Sequence, residues 1–234
     1  MFFIERHGAD LKQFYQKYKH GIPLLIYMTI YLGWFCYLEQ KVTKGYRVIH
    51  VDWDDYVPFC EVFVVPYLLW FVYVAAVVIF LFFKDKQDYY RSCIFLFTGM
   101  TIFLIISTLW PNGHHLRLEE MPRDNIFTRL VNFVWEADTA TNLWPSIHVY
   151  NSLGAHFAII RSSALENKKG LKIASLILAL SIIMSTVLIK QHSLFDVFTG
   201  IALAAVMYVL VYRREAVLAA RTEQNKNKRR PQIG

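Results

Sequence analysis

His148 sits in NLWPSIHVYN, residues 142–151, a titratable side chain among apolar neighbours. A second histidine, His192, precedes Asp196 by four residues in STVLIKQHSLFDVFTG, residues 185–200. On a helix that spacing puts both side chains on one face, about one turn apart. The aspartate can accept a hydrogen bond from one imidazole nitrogen, fixing the tautomer and leaving the other nitrogen as a nucleophile or base. The rival reading of each histidine is a core residue with a satisfied hydrogen bond. Which reading holds depends on what the surrounding elements do with these positions.

Those elements are membrane spans. The chain has 234 residues and is 56% hydrophobic, above the roughly 45–50% of soluble domains. Its apolar residues lie in six blocks: 22–38, 58–83 (broken by Pro66), 92–110, about 143–160, about 171–189 and about 193–212. A bilayer crossing needs about 20 mostly apolar residues, and such blocks are too long for barrel strands. In lipid a lone segment satisfies its backbone only as a helix. The predicted fold is therefore all-α, a polytopic six-helix transmembrane bundle over residues 22–212. An N-terminal segment, 1–21, precedes it and includes a short interfacial helix over 2–18. A basic, disordered tail, 213–234, follows.

Charge sets the orientation. With six spans both termini share a side, and every Lys and Arg falls there except Lys41, Lys44, Arg47, Arg117, Arg123, Arg129 and Lys190. The positive-inside rule puts both termini in the cytoplasm. His148 and His192 then begin the fourth and sixth spans on the opposite face. The longest connection, 111–142, lies on that face too and carries Arg117. Polar groups from separate segments thus converge at one membrane boundary, where an ionisable group needs an explanation.

Other classes drop out. The net charge of +7 comes from basic residues at block ends, not from an interleaved nucleic-acid surface. The stretch ERHGADLKQFYQKYKH is too charged for a cleavable signal peptide. Cys36, Cys60 and Cys93 have no CxxC spacing and make no zinc or redox motif. His156, eight residues after His148, is read as a packed interhelical hydrogen bond, and Asp52, Asp54 and Asp55 as a solvated loop face.

PSIH, 145–148, resembles the Pro-Ser-Gly-His motif of the type-2 phosphatidic acid phosphatase superfamily. STVLIKQHSLFD, 185–196, resembles its Ser-Arg-x5-His-x3-Asp motif, and HLRLEEMPRDN, 115–125, a degraded form of its Lys-x6-Arg-Pro motif. The resemblance implies that His192 attacks phosphorus to form a phosphohistidine, that Asp196 orients it, and that His148 protonates the leaving alkoxide and then activates water. It implies that Ser146 and the amides opening the fourth helix bind phosphate oxygens, with Arg117 neutralising transition-state charge. The chain departs from the pattern in placing Trp110, Leu118, Ile147 and Thr186 at the family's Lys, Pro, Gly and Arg positions. Arg123 or Lys190 is expected to replace the missing cations, Arg123 first because its fork suits a tetrahedral oxyanion. His114 and His115 are further candidates.

The function expected is a multi-pass lipid-phosphate phosphatase of the plasma membrane. It hydrolyses a lipid phosphomonoester or pyrophosphate at the non-cytoplasmic face, without metal or cofactor. Its partners are the lipid phosphate and the surrounding membrane lipids, with no nucleic acid. The alternatives are a lipid headgroup phosphotransferase, similar to sphingolipid synthases, and an inactive lipid-binding scaffold.

Overall fold

The structure is a computed structural model, and it describes residue 13 and residues 15–213. The expected interfacial helix over 2–18 and the basic tail over 213–234 fall largely outside the described residues. Among those described, seven α-helices form: α1 (Ile22–Lys41), α2 (Val64–Lys84), α3 (Lys86–Leu109), α4 (Ile126–Ala137), α5 (Ile147–Arg161), α6 (Lys169–Leu188) and α7 (Leu194–Tyr208). Two short strands, β1 (Arg47–Val48) and β2 (Asn112–Gly113), pair in parallel and tie the α1–α2 connection to the α3–α4 connection.

Five segments are long and apolar enough to cross a bilayer: Tyr15–Lys41, Glu61–Lys84, Lys86–Leu109, Lys169–Leu188 and Leu194–Tyr212. The protein is an all-α integral membrane bundle. Large apolar side chains such as Leu25, Phe71, Ile79, Ile94 and Ile177 point outward, as a lipid-facing surface requires. Pro66 does not break α2, because it lies in the first turn, where its missing N–H has no intrahelical acceptor.

The fourth expected span is the exception. α5 has 15 residues and rises about 22 Å, short of the roughly 30 Å hydrocarbon core. It is the hub of the bundle, packed against α2, α3, α6 and α7. Enclosed by protein instead of lipid, it carries polar residues that an outer span could not. His156 there hydrogen-bonds the Ser175 hydroxyl of α6 at 3.0 Å, the interhelical bond expected of it.

Close helix contact needs small residues at several points, Gly99 and Gly200 among them. A Cβ on Gly99 of α3 would sit 2.1 Å from the Tyr150 ring, whose hydroxyl donates to the Phe95 carbonyl at 2.6 Å. A Cβ on Gly200 of α7 would lie 2.9 Å from the Ser146 carbonyl. The second contact brings the start of α5 against the first turns of α7, and so brings the two histidine-bearing segments together.

Candidate active site

The α6–α7 reversal takes only the residues between Leu188 and Leu194. The Gln191 amide donates to the Thr186 carbonyl and the Lys190 amide to that of Val187, the paired bonds of a Schellman turn. Lys190 occupies its left-handed position, φ 56°, where glycine is usual. Its side chain holds it there, donating to the carbonyls of Asp54 (3.2 Å) and Val57 (2.6 Å). Ser193 then caps α7. His192 therefore lies one residue outside the helix, not on its face. Asp196, at the third helical position, reaches back to accept from the Ser193 amide at 3.0 Å and from His192 Nδ1 at 3.3 Å. The His-x3-Asp spacing makes its contact through a capping box.

α5 opens beside this turn. The Ser146 amide donates to the Asp196 carbonyl at 3.2 Å, and the Ser146 hydroxyl caps α5 by accepting from the Val149 amide. His148, in the first turn, places Nδ1 3.2 Å from His192 Nε2. The three side chains form one hydrogen-bonded chain, Asp196–His192–His148, exposed by 0%, 3% and 6% respectively. An ionised Asp196 only accepts, so His192 carries its proton on Nδ1 and presents the Nε2 lone pair. His148 Nδ1 must then be the donor. The His148 ring lies against Tyr67 (4.7 Å between centroids) and Trp70 (4.4 Å) of α2. Burial first, and the Arg117 charge second, push the His192 pKa down to about 3, so its imidazole is neutral at physiological pH.

Arg117 is brought to this cluster but is largely engaged. It donates to the carbonyls of Trp135 (2.8 Å) and Asp138 (2.6 Å) and to Gln191 Oε1 (2.5 Å). Its Nε is buried without an acceptor. The residues that hold it were not anticipated. α4 lies within the connection 111–142, capped by Asn125, whose side chain accepts from the Phe127 and Thr128 amides. It delivers Trp135 and Asp138. Asp138 accepts from Tyr67 and Gln191, and burial, then repulsion by Glu39, raises its pKa to about 7. Glu39, at the end of α1, accepts from Thr139 and Asn142.

His114 also packs here, while His115 is exposed and lies tilted against Tyr46. His114 Nδ1 accepts from the Leu116 amide at 3.1 Å, so Nε2 carries the proton and donates to the Gln191 carbonyl at 2.9 Å. Burial depresses its pKa to about 4 from an ordinary 6.5. Between those values the unfolded chain binds the proton and the folded one does not. The stabilising contribution is whole above about pH 6.5 and is lost as pH falls toward 4. His192 adds to the loss with the same sign. Asp138, with its pKa raised to about 7, contributes with the opposite sign over the same range, so the readout is a difference: between about pH 7 and about pH 4.5 the apparent melting temperature in detergent should drop in wild type relative to His114→Gln. Equal slopes would contradict this assignment.

Two expected cations are committed elsewhere. Arg123 forms a two-point pair with Glu61, at 2.9 Å through Nε and 3.0 Å through Nη2. Lys190 is buried on the carbonyls described above. Neither makes a hydrogen bond to the histidine pair among the described residues. Thr186 is buried, and its hydroxyl donates to the Ile183 carbonyl of its own helix.

Asp54 corrects the expectation of a solvated acidic face. It is buried, and accepts from the Ser193 hydroxyl (2.7 Å), the Leu194 amide (2.8 Å) and the Val51 amide (3.0 Å). It is a second cap on α7, supplied from far away in the chain. Asp54→Ala would leave these buried donors unpaired, at about 1–3 kcal/mol each. We expect a loss of about 2–4 kcal/mol, read as a lower melting temperature, with Asp52→Ala and Asp55→Ala close to wild type.

A family model described as the PAP2 superfamily matches residues 122–217. That segment of the chain, which includes Ser146, His148, His192 and Asp196, is similar to the PAP2 superfamily. Arg117 precedes the matched segment. The family indicates phosphatase or phosphotransferase activity in general. No curated protein matches the chain, and no solved structure does.

Proposed function

We propose that the protein is a membrane lipid-phosphate phosphatase that acts through a phosphohistidine on His192. The observation that carries this reading is the buried Asp196–His192–His148 chain. The neutral His192 holds its Nε2 lone pair toward His148, and phosphorus reaches it once the two rings part. Asp196 holds Nδ1–H and stabilises the charge that develops on the ring as the N–P bond forms. A substrate bound as the phosphate monoanion gives its proton to neutral His148, and the resulting imidazolium passes a proton to the departing alkoxide. Returned to the neutral form, it takes a proton from the water that cleaves the phosphohistidine. Ser146 and the free amides of the first turn of α5 bind phosphate oxygens, and the unpaired Nε of Arg117 supplies a further donor. Arg123 and Lys190 act on phosphate only by releasing Glu61 and the loop carbonyls. No step requires a metal or cofactor.

Lys/Arg asymmetry supports cytoplasmic termini and a non-cytoplasmic active site. A second reading is favoured by the burial of both histidines, which shields the phosphoenzyme from bulk water. A lipid hydroxyl then replaces water in the second step, giving a headgroup phosphotransferase. Purified protein incubated with phosphatidate, a sphingoid phosphate and a polyprenyl pyrophosphate, with and without an acceptor lipid, separates the two. Free phosphate supports the hydrolase, headgroup transfer supports the transferase, and neither product refutes both and leaves the scaffold.

A further inference from the structure

A cavity of about 490 Å³ opens at the histidine end of the bundle but shares no lining residue with the Asp196–His192–His148 chain. Its walls include Arg47 and Val48 of β1, Trp110 just past α3, Trp144 ahead of α5, and Phe195 in the first turn of α7. Trp110, Phe195 and Val48 are exposed at the ends of membrane spans, the level at which indoles sit in a bilayer.

The polar groups of the cavity define its ligand. The Asn112 side chain is fully used: its oxygen accepts from the Leu143 and Trp144 amides, and its nitrogen donates to the Trp110 carbonyl. His50 is held by Asp55 at 2.8 Å. The Trp144 indole N–H has no acceptor but is sealed from the cavity as well. One side-chain group remains. The Arg47 guanidinium lines the cavity and has no side-chain partner among the described residues. It only donates. A ligand that satisfies it brings acceptors and negative charge. A quaternary ammonium is repelled by Arg47, and the hydroxyl donors of a sugar find no free side-chain acceptor. The apolar rim calls for acyl chains beside the anion. Basic pockets between span ends take anionic headgroups on these grounds.

We propose that this cavity binds the headgroup of an anionic phospholipid, with its phosphate on Arg47 and its chains against Trp110 and Phe195. The site is separate from the reaction at the histidine pair and does not depend on which reaction that is. It is tested by native mass spectrometry of the full chain in detergent, in a His192→Ala background so that turnover plays no part. Phosphatidylglycerol and phosphatidylcholine are the probes. Phosphatidylglycerol is expected to be retained more strongly. Arg47→Gln should lower its affinity by at least about tenfold, whereas Trp144→Phe, which keeps a ring and loses only a donor sealed from the cavity, should leave it unchanged. Phosphatidylcholine retention should not change in either variant. Competition by inorganic phosphate would assign recognition to the phosphate group alone; absence of competition would assign it to the headgroup with its chains, and either result supports the site. Equal retention of the two lipids, or unchanged phosphatidylglycerol affinity in Arg47→Gln, would overturn it.

Discussion

His192→Ala is expected to lower turnover of a lipid phosphate by on the order of 10⁴-fold or more, because it removes the covalent route altogether. Nothing nearby can substitute. His148 Nδ1 is a donor in this arrangement, and His114 has one nitrogen on the Leu116 amide and the other on the Gln191 carbonyl. Asp196→Asn keeps the nucleophile but weakens its orientation and charge balance, so a loss on the order of 100-fold is expected. The Asp196 variant also keeps a side chain able to accept from the Ser193 amide, so α7 should remain capped. Steady-state rates alongside melting temperatures separate lost chemistry from lost fold. Comparable effects of the two substitutions would mean that His192 orients and does not attack.

His148→Ala should show a loss that depends on the leaving group. A lipid alkoxide needs a proton as it departs, and positioned acids contribute about 10²–10⁴-fold. Nitrophenolate departs without one. The variant should therefore form the phosphoenzyme on the order of 10²–10³-fold more slowly from a lipid phosphate and less than about tenfold more slowly from nitrophenyl phosphate, while the hydrolysis that follows slows equally for both. The geometry adds a condition. At 3.2 Å from His192 Nε2, His148 covers the nucleophile in the free protein. Phosphate must part the two rings before attack, and His148 is backed by Tyr67 and Trp70 of α2. Equal slowing of phosphoenzyme formation from both substrates would assign His148 to phosphate binding or packing instead of proton transfer.

Much of this architecture was legible in the chain. The apolar blocks located the five long spans, because lipid-facing helices must be apolar over their whole length. α5 was located but begins late, at Ile147, since the segment before it is pinned through Asn112. The His192–Asp196 contact was legible from spacing, though its cause is a cap and not a helical face. α4 left a local signal, Asn125 and Thr128 ahead of apolar Leu130, Val131 and Val134, inside what reads as a loop. Asp54, Glu61 and Gln191 left none. Asp54 finds Ser193, Glu61 finds Arg123 and Gln191 finds Arg117, partners set by the tertiary packing of separate connections. The fates of Arg123 and Lys190 were hidden for the same reason.

The covalent intermediate is the most direct test of the account. A brief incubation with a lipid phosphate labelled in its phosphoryl group, stopped in alkali, should leave label on the chain. Proteolysis should place that label on the peptide containing His192, in an acid-labile, alkali-stable linkage. His148→Ala should still accumulate it from nitrophenyl phosphate, and His192→Ala should not. Turnover without any labelled protein, or label that persists in His192→Ala, would contradict the central claim.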